Sequence, residues 1–103
     1  SLTCTDLIGD ELIVSGTVRQ TAVFGENLVM DRTWSADLGG STLRLTDVVH
    51  NDGLADEGHM VLYHVNVGWP LLSESAVLDV PSREVTPRDE DARSGAGRWQ
   101  HIE

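Results

Sequence analysis

Glu26-Asn27-Leu28-Val29-Met30-Asp31-Arg32-Thr33-Trp34-Ser35-Ala36-Asp37-Leu38 reads with a period of two. Side chains in a strand alternate faces, so Leu28, Met30, Arg32, Trp34, Ala36 and Leu38 share one face. Asn27, Asp31, Thr33, Ser35 and Asp37 fall on the other. One apolar and one wetted face is the pattern of an antiparallel strand. Arg32 is the exception on the apolar side. If buried it needs a partner; otherwise its stem packs while its head reaches an edge, or it stacks on Trp34.

The same period extends both ways. Upstream, Leu2–Ile8 is a strand, Gly9-Asp10 a turn, and Glu11–Phe24 a second strand with Leu12, Val14 and Val18 on one face and Ser15, Thr17 and Arg19 on the other. Gly25 interrupts before the run quoted above. Downstream, Gly39-Gly40 is a hairpin signal. Ser41–His50 returns with Leu43, Leu45 and Val49 on one side, and Asn51-Asp52-Gly53 makes another turn. Residues 54–59 are an acidic loop. Met60–Leu72 and Ala76–Val80 read as further strands. From Pro81 to Gly97 prolines, glycines and charges mark a surface excursion with a helical turn at Asp89–Ser94, and Arg98–Ile102 begins another strand. The expected class is all-β, an antiparallel sandwich, in a single partial domain over residues 1–103.

Charge and cysteine content narrow the function. The net charge is −10, from 17 acidic and 7 basic residues, and every basic residue is Arg. Clustered cations, which phosphate backbones and anionic membranes require, are lacking. The plain reading of the acidity is a soluble, self-repelling surface. Cys4 is the only cysteine, so neither an internal disulfide nor a thiolate metal site is available. Beside Thr3 and Thr5 it reads as a small packed side chain. No apolar run reaches transmembrane length and no signal-peptide pattern is present, which makes cytoplasm the default expectation.

Leu62-Tyr63-His64-Val65-Asn66-Val67-Gly68-Trp69-Pro70-Leu71-Leu72 carries the strongest hint of chemistry. As a strand it puts Val61, Tyr63, Val65 and Val67 on an apolar face, with His64 and Asn66 together on the other. The plain reading is a histidine bonded to a neighbour. The functional one is a ligand site, because an unpaired buried polar group costs about 1–3 kcal/mol and Trp69 offers a flat surface to a sugar ring. Other chemistries find less support. His50, His59 and His64 cluster, but His59 and His64 are an odd number of residues apart and fit no metal-ligand pattern. No nucleophile elbow and no phosphate-cradling glycine motif occurs, and nothing selects a carboxylate pair for glycoside cleavage.

Several stretches, taken in order, resemble the aldose 1-epimerase (galactose mutarotase) superfamily, and most closely its poorly characterised bacterial branch. They are Val14–Arg19, Phe24–Leu28, Asp31-Arg32-Thr33, Asp47–Gly53, Pro87-Arg88-Asp89 and, most specifically, Leu62–Leu72. The resemblance implies a large antiparallel β-sandwich binding a monosaccharide on a concave face, with no metal or organic cofactor. In that superfamily a histidine acts as acid toward the ring oxygen and a glutamate takes the anomeric proton. The ring opens, rotates and recloses as the other anomer. An acid with a pKa near working pH suits this chemistry, and histidine at about 6.5 meets it.

On this resemblance His64 falls at the acid, while Asn66, Trp69 and Arg32 line the sugar pocket. No residue of this sequence matches the catalytic glutamate, and an upstream histidine-containing segment of the superfamily has no counterpart. The expectation is therefore a central piece of a mutarotase-like protein, inactive by itself. The rivals are a sugar binder without catalysis and a structural β-domain. The latter would associate with a second copy or another chain through open sheet edges.

Overall fold

The structure, a computed structural model, describes residues 2–101, with side chains from Thr5 onward. The Cys4 side chain and Ile102, the end of the last expected strand, lie outside the described residues. The chain divides into two compact units, residues 1–60 and 61–103.

The first unit is a four-stranded antiparallel sheet in the order β1-β2-β3-β4. The strands are β1 Leu2–Ile8, β2 Glu11–Thr21, β3 Asn27–Asp37 and β4 Leu43–Asn51. The all-β expectation holds. Gly9 and Gly39 adopt positive φ, 62° and 75°, at two of the three hairpin turns, a conformation that costs glycine little. The third turn closes differently. The expected strands through Phe24 and from Glu26 stop short, at Thr21 and Asn27, because Ala22 donates to the Glu26 carbonyl at 2.9 Å. Phe24, at φ 60°, takes the left-handed position of that turn rather than the adjacent Gly25.

Register fixes two faces. Val14 and Leu45 lie opposite Trp34, Gly16 and Asp47 opposite Arg32, and Val18 and Val49 opposite Met30. Leu7, Leu12, Leu28, Ala36 and Leu43 complete this apolar face. The other face carries Ser15, Thr17, Arg19, Asp31, Thr33, Thr46 and His50. Among the described residues only Val29 is buried, at 7% exposure. It lies on the polar face of the central strand β3, with Arg19 and His50 as its cross-strand neighbours. The apolar face keeps substantial exposure, with Leu43 65% exposed.

The bond from the Asp52 amide to the Asn27 carbonyl sets the ladder's parity. Leu43, Leu45 and Val49 consequently direct their backbone groups away from β3, toward the outer edge of the sheet.

The second unit departs from expectation. Residues 61–68 belong to no strand, so Met60–Leu72 is not the ribbon its alternation predicts. Alternation decides which face of a strand is apolar; it does not supply the neighbouring ladder that makes one. Beyond it the Leu72 amide donates to the Gly68 carbonyl at 2.9 Å, around a cis Trp69–Pro70 bond. Ala76–Val80 and the described residues 98–101 likewise form no full strands. They meet at one isolated bridge, Val77 to His101, with Leu78 N–H donating to Gln100 at 2.9 Å. The expected helical turn is α1, Glu90–Ser94, capped by Asp89, whose carboxylate accepts the Ala92 amide at 2.9 Å.

Candidate functional site

Arg32 lies on the sheet, in the first unit; His64, Asn66 and Trp69 belong to the second. Each is described in its own surroundings.

Arg32 is held by a partner that the sequence reading did not assign. Its Nε and Nη2 each donate to a different oxygen of the Asp47 carboxylate, both at 2.8 Å. This fork-on-fork arrangement is the strong form of an arginine–carboxylate pair. Asp47 is nearly buried, with 6% of its side chain exposed against 34% for Arg32. Nη2 also lies 4.0 Å from the Met30 sulfur. The signal that finds Asp47 is register. Both residues occupy inward positions of adjacent strands, and a charge on each apolar face is neutralised only where the two meet.

Beside this pair is a hollow of about 300 Å³ lined by Val14, Ser15, Gly16, Thr17, Val18, Arg32 and Trp34. Gly16, opposite Arg32, contributes no side chain to its floor. Trp34 and Arg32 line the same depression.

The opposite face carries a polar network. Thr17 donates to Asp31 at 2.7 Å, and Asp31 lies 3.6 Å from His50 Nε2. Arg19 donates to Asn27 at 2.7 Å and sits 3.3 Å from Asp52. These groups pair with each other across β2, β3 and β4. In the turn after β4, Asn51 Oδ1 accepts the Gly53 amide at 2.9 Å and Nδ2 donates to Ala55 at 2.7 Å.

His64, Asn66 and Trp69 are all exposed, Trp69 at 82%. Burial of unpaired polar groups therefore does not arise for His64 and Asn66. The shared face expected of them rested on a strand that residues 61–68 do not form. The apolar members of the same segment do converge. Val67, Pro70, Leu71 and Leu72 line a hollow of about 650 Å³ with Ala76, Val77, Leu78 and Trp99. Trp99, which the sequence reading passed over, forms one wall. It falls in the expected strand Arg98–Ile102, where no alternation marks which way it faces.

Among the described residues no three histidine, cysteine or acidic side chains gather to hold a metal, and no helix is long and apolar enough to cross a membrane. Two carboxylates stand out electrostatically. A hydrogen bond from its own backbone amide, with a further one from Gln20, holds the Glu26 carboxyl below the usual range. The Ala92 amide, and then Arg88, do the same for Asp89.

The sequence matches a family model described as a domain of unknown function, DUF4432, over residues 4–103. The chain belongs to the DUF4432 family. The DUF4432 match covers both the sheet and the Leu62–Leu72 segment, so the two units are parts of one family sequence. No curated protein and no solved structure matches the chain.

Proposed function

We propose that this DUF4432 chain is the sugar-binding part of a mutarotase-like, carbohydrate-active protein. In the complete protein it would interconvert the anomers of a free aldose. The observation that carries the reading is the segment Tyr63-His64-Val65-Asn66-Val67-Gly68-Trp69-Pro70-Leu71-Leu72, inside a single family match over residues 4–103. His64 would act as general acid at the ring oxygen, Asn66 would hydrogen-bond a hydroxyl, and Trp69 would cover a face of the ring. The exposure of His64 agrees with an imidazole that meets solvent and ligand rather than a core.

Polarimetry on anomerically pure glucose and galactose tests the activity. Faster mutarotation than buffer, lost in His64→Ala, supports the epimerase. Because no residue of this sequence matches the superfamily's base, the comparison is made in a longer DUF4432 protein that contains the chain, where a rate equal to buffer together with sugar binding identifies a binder.

A second reading, from another class, draws on the sheet itself. Its apolar face is half-buried, and its β4 edge runs nine residues without a bulge, whereas β1 carries a register shift between Leu2 and Cys4. Regular open edges add strands from other chains. Size exclusion separates this interaction module from a sugar site: it should show association that sugars do not alter.

A further inference from the structure

We propose that Arg32 and Asp47 form the lock that selects the β3–β4 register, with Asp47 as the positioning residue. This inference is independent of the carbohydrate reading. A slip by one residue would turn the apolar set of β4 to the polar face, so burial forbids it. A slip by two is different. Sliding β4 so that Leu43 lies opposite Trp34 and Val49 opposite Leu28 keeps apolar residues facing apolar residues, where the native partners are Leu45 and Met30. The connection over residues 38–42 carries glycines at 39 and 40, which can take other backbone conformations at little cost. Hydrophobic pattern alone therefore does not choose between the two registers.

The charged pair tells them apart. Only the native register sets Asp47 directly opposite Arg32, where both carboxylate oxygens accept at 2.8 Å. In the slipped register Asp47 would face Met30 and Arg32 would face Leu45, so the direct two-oxygen fork would be replaced by a stretched diagonal reach between them. Setting strand or helix register is the best-attested use of a buried polar pair. The register in turn decides what the other face presents, since the same alignment brings His50 of β4 within 3.6 Å of Asp31.

Disulfide trapping in a Cys4→Ser background of the whole chain tests the lock. Val49→Cys is combined with Met30→Cys to report the native register, or with Leu28→Cys to report the slipped one. Each is equilibrated in a glutathione redox buffer. With the pair intact, the effective concentration of the native couple should exceed that of the slipped couple by about ten-fold or more. In Arg32→Met/Asp47→Leu the two should come within about three-fold. The exchanged pair Arg32→Asp/Asp47→Arg should restore the original preference. An unchanged ratio in the Met/Leu variant would overturn the proposal, because packing alone would then set the register. If circular dichroism shows that variant to lack a sheet, the exchanged pair decides against Arg32→Met alone. Failure to recover the parental ratio would overturn the proposal equally.

Discussion

Asp47 takes the Arg32 guanidinium through both of its oxygens at 2.8 Å, on a sheet face whose neighbouring positions are the apolar Met30, Trp34, Leu45 and Val49. The two partners are unequally sheltered, 6% exposed for Asp47 and 34% for Arg32. Removing Arg32 strands a carboxylate that has little water to turn to. Removing Asp47 leaves a guanidinium on a flexible stem that can reach solvent. Arg32→Met should therefore destabilise more than Asp47→Leu. Breaking a buried pair costs about 3–5 kcal/mol, and about 2–4 kcal/mol is expected for Arg32→Met after allowing for its exposure. Urea unfolding of both variants checks this. Equal losses, or a larger one for Asp47→Leu, would contradict it.

Phe24 holds φ 60° while its side chain is fully exposed, so the strained backbone is not offset by packing. Asn tolerates that conformation better than an aromatic residue. Phe24→Asn should raise stability by about 0.5–1 kcal/mol, read as a higher urea midpoint with an unchanged slope. A lower midpoint would mean that Phe24 makes contacts this account denies it.

The turn after β4 depends on both ends of one amide, the Asn51 oxygen on the Gly53 N–H and the Asn51 nitrogen on the Ala55 carbonyl. Asn51→Asp keeps the acceptor and loses the donor. Hydrogen exchange at the Gly53 amide should stay slow in Asn51→Asp and quicken in Asn51→Ala. Equal quickening in both would show that the Gly53 bond does not hold the turn.

Asp89 caps α1 through the Ala92 amide, which holds its carboxyl below the ordinary 3.8. A carboxyl whose pKa is lowered on folding contributes stability above its unfolded value, and that contribution is lost as pH falls through the lowered one. The Ala92 amide proton shift should accordingly titrate with a midpoint below 3.8, with α1 fraying over the same interval. A midpoint at or above the ordinary value would contradict the cap.

The sheet was legible because its signals are local. Alternation in residues 27–37 and glycines at 9 and 39 specify strands and turns within a few residues of each other. Asp47 was harder to find, since its role exists only once β4 is registered against β3. The segment after Met60 was misread for a related reason. Val61, Tyr63, Val65 and Val67 alternate as well as β3 does, but a strand also requires a neighbour offering a ladder, and no local pattern encodes one. Trp99 falls in the expected strand Arg98–Ile102, too short a run to show a face by alternation, and it is the fold that sets it in a hollow with Val77 and Leu78.

The carbohydrate reading meets its most direct test at the His64 imidazole. Ring resonances of the protein should be followed by NMR while glucose, galactose and other free aldoses are added, with His64→Ala assigning the signal. The account predicts a saturable shift of the His64 resonances with at least one aldose, and none with a non-cyclic polyol of equal size. His64 resonances unmoved by every aldose, in this chain and in the longest DUF4432 protein that contains it, would contradict it.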